Sequence, residues 1–82
     1  MEIKIGSRVR SYDFPHARDC YVEGILEGFG ELEGCRRYKI RVERKVWSGE
    51  EVPKPYRGHV YPPVNGTPKL FGGVCDGVEV VA

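Results

Sequence analysis

The sequence predicts an all-β domain: a small five- or six-stranded barrel or roll with a long Pro-rich loop. Three observations predict it. Two strand-like segments, 21–29 and 37–47, adjoin across the short loop Gly30-Glu31-Leu32-Glu33-Gly34, which is the pattern of a hairpin. Glycine (11) and proline (6) are spread along the 82 residues as punctuation and not gathered into a tract. No stretch carries a helical period, and Pro53 and Pro55 forbid a regular helix between Glu50 and Tyr61.

The first strand is expected over 7–14, where Val9 alternates with Arg8 and Arg10 and Gly6-Ser7 supplies a kink. Pro15-His16-Ala17-Arg18-Asp19 reads as a polar connection. The second strand spans about 20–29 and the third about 35–47. Centring their turn on Leu32 sets Val22 opposite Val42, Gly24 opposite Ile40 and Leu26 opposite Tyr38 on one face. On the other face Glu23 meets Arg41, Ile25 meets Lys39 and Glu27 meets Arg37, so opposite charges neutralise each other. Gly24 and Gly28 weaken a flat strand and mark bulges or a bend.

Ser48-Gly49-Glu50-Glu51 reads as a turn. The Pro-rich excursion 52–68 is expected to dock on the sheet through Tyr56, Val60, Tyr61 and Leu70 while keeping some exposed contact, with His59-Val60-Tyr61 as a short strand. Leu70-Phe71 reads as an apolar plug or a short strand, and Asp76-Gly77 as a tight turn. Val78-Glu79-Val80-Val81 forms a last strand beside the first.

Eighty-two residues suffice for one domain, 1–82, with a modest core. Apolar residues make up 40% and charged residues 30%, with a net charge of +1. That balance excludes a disordered chain and gives no whole-molecule field to steer nucleic acid or an anionic membrane. The start Met1-Glu2-Ile3-Lys4-Ile5 has no apolar run of signal-peptide or membrane-span length, so a cytoplasmic setting is expected. Asn65-Gly66-Thr67 then reads as a turn and not as a glycosylation site. Cys20, Cys35 and Cys75 are an odd count at long spacing, which fits reduced, buried thiols.

The segment Ile5-Gly6-Ser7-Arg8-Val9-Arg10-Ser11-Tyr12-Asp13, with Tyr21-Val22-Glu23-Gly24-Ile25-Leu26 and Tyr38-Lys39-Ile40-Arg41-Val42, resembles SH3-like small barrels of the KOW and Tudor kind. The likeness covers roughly the first sixty percent of the chain, and 48–73 departs from the short connection usual there. Tyr12-Asp13-Phe14-Pro15, Tyr61-Pro62-Pro63-Val64-Asn65-Gly66-Thr67 and Phe71-Gly72-Gly73-Val74 resemble small proteins of tailed bacteriophages, especially those of cyanobacteria. That second likeness implies a phage or bacterial cytoplasm and no activity.

Two surfaces are candidate sites. Arg37, Lys39, Arg41, Lys45 and Trp47 form a basic strand ending in an aromatic, which suits phosphate contacts and base stacking or a partner surface. Tyr12, Asp13 and Phe14 form a barrel-rim aromatic site, which Trp47 would join as a cation cage of the kind the Tudor resemblance implies. Against these stand plainer readings: an ion-paired, solvated sheet face for the first and packing aromatics for the second.

No metal and no cofactor is expected, because His16, Cys20, Cys35, His59 and Cys75 include only one local pair, His16 with Cys20. Catalysis is not expected either: Cys20, His16 and Asp13 match no nucleophile signature, and Gly28, Gly30 and Gly34 lie in a hairpin and not before a helix. The expected function is a non-enzymatic accessory module working through protein contacts or self-association. Nucleic-acid binding through 36–47 is the alternative, and a small metal or thiol enzyme is a minor one.

Overall fold

A computed structural model of the chain describes residues 3–14, 16–53 and 57–81. It is all-β. Among the described residues six strands form one antiparallel sheet: β1 (Arg8–Phe14), β2 (Ala17–Leu32), β3 (Cys35–Trp47), β4 (Glu50–Glu51), β5 (His59–Val60) and β6 (Val78–Val80). The order is β4-β3-β2-β1-β6, with β5 also pairing β3. No helix occurs among the described residues, so none is long and apolar enough to cross a membrane.

The β2–β3 hairpin is the frame, and its turn is tighter than a loop centred on Leu32. Leu32 pairs with Cys35, leaving Glu33-Gly34 as a two-residue turn. Glu33 (φ 55°) and Gly34 (φ 74°) both take positive φ, the condition of a type I′ turn whose twist matches the strands it joins. The tight turn keeps ladder bonds that a five-residue loop would give up. It also corrects the expected pairs. Leu26 faces Ile40, Gly24 faces Val42, Val22 faces Lys45, Glu23 faces Arg44 and Ile25 faces Arg41. Ser48 (φ 52°) and Gly49 (φ 79°) repeat the same turn between β3 and β4.

The register shifts at Glu23/Gly24 and again at Leu26/Gly28, so the glycines do mark bulges. The first shift leaves Glu43 as the extra residue on β3, and the second leaves Glu27 extra on β2. At Gly24 the backbones close in: an added Cβ would lie 1.9 Å from the Arg41 carbonyl oxygen. Only glycine fits there.

The bends wrap the sheet over Val9, Leu26, Tyr38, Ile40 and Val78, with Ile3, Val60 and Val64 packed against them. Tyr21, Val22, Val42 and Val46 are buried too, as is the Cys20 thiol. β1 pairs with β6 as expected, Val9 opposite Val80. β2 begins at Ala17, so the expected connection shrinks, and Pro15 within it lies outside the described residues. Asp76-Gly77 is not a turn; the Gly77 carbonyl accepts from the Tyr12 amide at 2.8 Å and extends the β1–β6 ladder.

The Pro-rich excursion docks along the outer edge of β3. Gly58 and Pro62 carbonyls accept from Val42 and Tyr38 amides at 3.0 and 2.9 Å, and the Val64 amide donates to the Arg36 carbonyl at 3.1 Å. Proline is tolerated here because an edge partner can accept without donating. Val60 reaches the core, while Tyr61 is exposed and Tyr56 lies outside the described residues.

No backbone ladder among the described residues joins β6 to this excursion. A side chain bridges them instead. Asn65 Nδ2 donates to the Val78 carbonyl at 2.7 Å, and its Oδ1 accepts from the Val78 amide at 3.3 Å, as a neighbouring strand would do. The Asn65 amide also donates to the Tyr38 hydroxyl at 3.2 Å.

Candidate partner-docking surface

Residues 66–75 form a small finger. Gly66 donates to Cys75 O, Cys75 to Thr67 O and Lys69 to Gly73 O, at 2.8, 2.8 and 3.0 Å. Gly72 and Gly73 take positive φ at the return. At its tip Leu70 is 90% and Phe71 96% exposed. The expectation of an apolar plug is therefore wrong, and Leu70 takes no part in docking the excursion. Hydrophobicity suggested burial, but the finger's ends are pinned by backbone bonds, which hold its tip out in solvent. Val74 on the finger is half exposed as well.

At the foot of the finger lies an open cleft of about 240 Å³, lined by Tyr12, Phe14, Arg18, Pro62, Pro63 and Cys75 among others. Aromatic and proline walls with a few polar groups are the composition of a binding groove. Lys69 and Cys75 of the finger line the cleft.

Tyr12 and Phe14 line the same cleft, and Trp47 packs on Phe14. Phe14 and Trp47 meet edge to face at 5.8 Å, both about half exposed. Tyr12 is engaged elsewhere: its hydroxyl donates to Glu79, and the Arg18 guanidinium sits 3.9 Å above its ring. Burial and that hydrogen bond raise the Tyr12 pKa above its ordinary value. The hydrogen bond from Tyr12, then the one from Arg18, holds the Glu79 carboxyl below the usual range despite partial burial. Asp13 is exposed on the same strand end.

Within the basic strand Arg41 is the candidate residue that is ion-paired. Arg41 contacts Glu27 at 3.5 Å and Glu43 at 3.9 Å, so one guanidinium holds both bulge residues. Its partner is therefore Glu27 and not Glu23. Arg37, expected opposite Glu27, instead donates to the Tyr61 carbonyl at 3.0 Å and ties down the excursion. Lys39 is half-buried on the same strand face, and the Lys45 ammonium lies 5.6 Å from the Trp47 ring centre. His59 Nε2 lies 2.6 Å from Glu27; this hydrogen bond and the nearby Arg41 and Lys39 charges depress the Glu27 carboxyl.

The centre of this electrostatic network is Glu23, only 6% exposed. Arg10 Nε donates to it at 2.8 Å and Arg8 at 3.3 Å, with Arg44 at 3.8 Å. Burial pushes its pKa up, but the Arg10 hydrogen bond and the three positive charges outweigh burial and leave it lowered. The sequence reading overlooked this cluster, the Asn65 bridge and the exposed tip. The first had a readable signal: pairing β1 with β2 sets Arg10 opposite Glu23, with Arg8 on the same face.

Among the described residues no group of three His, Cys, Asp or Glu is placed to hold a metal ion. The three cysteines are free thiols, with Cys20 and Cys35 at opposite ends of the hairpin. Compared with known protein families, characterised proteins and solved structures, the chain matches none.

Proposed function

We propose that this protein is a non-enzymatic accessory binding module that grips a protein partner with the Leu70-Phe71 fingertip and the cleft at its foot. The observation that carries this reading is two large apolar side chains standing almost wholly in water on a hydrogen-bonded finger. Burying each in a partner contributes about 1.5–3 kcal/mol, and the pre-formed finger lowers the ordering cost. The likeness to small phage proteins makes the cytoplasm of an infected host the place to seek that partner.

Nucleic-acid binding ranks second. Arg41 is already ion-paired and Arg37 holds the Tyr61 carbonyl, so phosphate contacts there would compete with existing bonds. Affinity capture from host extract tests both readings at once. The wild-type chain is expected to retain a discrete protein, the pair Leu70→Asp/Phe71→Asp to lose it, and Arg41→Glu to keep it. Retention by the fingertip pair, or a bound nucleic acid released by salt and lost in Arg41→Glu, would overturn the first reading.

A further inference from the structure

The fold covers or blunts nearly every strand edge it makes. β3 is lined by β4, β5 and the excursion, β4 ends in two glutamates, and the free side of Val78 is met by Asn65. One edge is left. β1 stops pairing at Ile25, and Gly6 and Ser7 extend its bonds only to Leu26. Beyond that, 27–32 of β2 has β3 on one side and no strand on the other among the described residues. The stretch carries none of the lysines or prolines that normally guard an edge. Gly28 and Gly30 put no side chain in the way, with nothing within 4 Å of where a Cβ would stand.

We propose that this edge pairs with the same edge of a second copy of the chain, antiparallel about a two-fold axis at Gly30. The inference is independent of the fingertip. An axis perpendicular to two antiparallel strands makes one residue its own partner, so each allowed register centres on a single residue. Centring on Phe29 sets Glu27 opposite Glu31 of the partner subunit, and centring on Glu31 sets that carboxylate against itself. Moving toward Gly28 brings the partner onto Leu26, whose edge Gly6 and Ser7 already hold. Centring on Gly30 faces Phe29 with Glu31 of the partner subunit and Gly28 with Leu32 of the partner subunit; the like charges this register aligns, Glu27 with Glu33 of the partner subunit, fall outside the paired strip at a bulge and a turn.

Of the strip's charges, Glu27 is held by Arg41 and His59, and Glu31 has Arg36 as its cross-strand neighbour. A second copy thus meets a nearly neutral strip, which favours it over a strongly charged peptide. Five paired residues a side bury less than the roughly 1,200 Å² of a standard interface, so the dimer is a weak one that forms with concentration. Two-fold pairing consumes the edge in both copies and stops there.

Light scattering across a concentration series tests the proposal, read beside amide exchange by NMR. The wild-type mass should rise from 9.3 kDa toward twice that value, with amide protection growing at 28–32. Gly30→Lys, which sets two lysines face to face, should stay at 9.3 kDa, and Gly30→Val should dimerise at an about five-fold lower concentration. Phe71→Asp should leave the dissociation constant unchanged. A wild type monomeric throughout, a dimer that Gly30→Lys leaves intact, or protection absent from 28–32 would each overturn the proposal. If Gly30→Lys fails to fold, the wild-type protection pattern decides alone.

Discussion

The chain up to Trp47 and the chain after it are held in different ways. The first stretch contributes three long strands whose own side chains pack the core and answer each other's charges, as Glu23 does with Arg8, Arg10 and Arg44. The second stretch has short strands of two or three residues and leans on the first through the β1–β6 ladder, backbone bonds to β3 and the Asn65 amide on the Tyr38 hydroxyl. One supplies most of the core; the other is positioned by the first, adds Val78 to that core, and carries the most exposed apolar residues among those described. The difference separates scaffold from contact surface: a segment that adds little to its own core is free to display residues that folding does not require.

Substitutions break or sharpen that contrast, the largest effects falling in the scaffold. Gly24→Ala drives a Cβ into the Arg41 carbonyl and should cost more than about 3 kcal/mol, or prevent folding, in denaturant unfolding. Glu23→Gln leaves three guanidiniums with a neutral partner. Because those groups are partly exposed, the expected loss is about 1–3 kcal/mol, and most of it should vanish in a background where Arg10 is also replaced. Asn65→Ala removes the bridge to β6 and should cost about 1–2 kcal/mol, with amide protection lost first at Val78.

Acid titration sharpens the same contrast. Glu23, Glu27 and Glu79 all have folded pKa values below the ordinary 4.5. A lowered carboxyl gives stability that is present above the unfolded value and lost as pH falls through the folded one. Stability should therefore hold from neutral pH to about pH 5.5 and drop below about 4.5. Tyr12 works in the other sense: its raised pKa gives stability present below pH 10 and lost as pH climbs past that value. Glu23→Gln should flatten the acid limb more than Glu27→Gln, because Glu23 is buried and Glu27 is exposed.

The same division decided what could be read from sequence. Alternation made the strands visible, and β3 begins at Cys35 and ends at Trp47 as the pattern indicated. Gly24 and Gly28 betrayed the bulges because a strand interior rarely tolerates glycine without reason. The register did not follow, since it depends on two positive-φ residues at Glu33-Gly34, and glutamate is not a residue that advertises such a turn. The candidate surfaces were legible only in part. Phe14 and Trp47 do meet, but the Tyr12 hydroxyl is claimed by Glu79, a residue 67 positions along the chain. Local pattern cannot show a contact of that span. Leu70-Phe71 was misread because hydrophobicity normally signals burial, and nothing local says that a finger holds the pair outward.

The most direct test of this account is the unfolding free energy of Leu70→Ser/Phe71→Ser measured in denaturant. If the fingertip serves a partner and not the fold, the pair should unfold within about 0.5 kcal/mol of wild type with an unchanged m-value. A loss of 2 kcal/mol or more would mean that these side chains pack within the molecule, and would contradict the division between scaffold and contact surface.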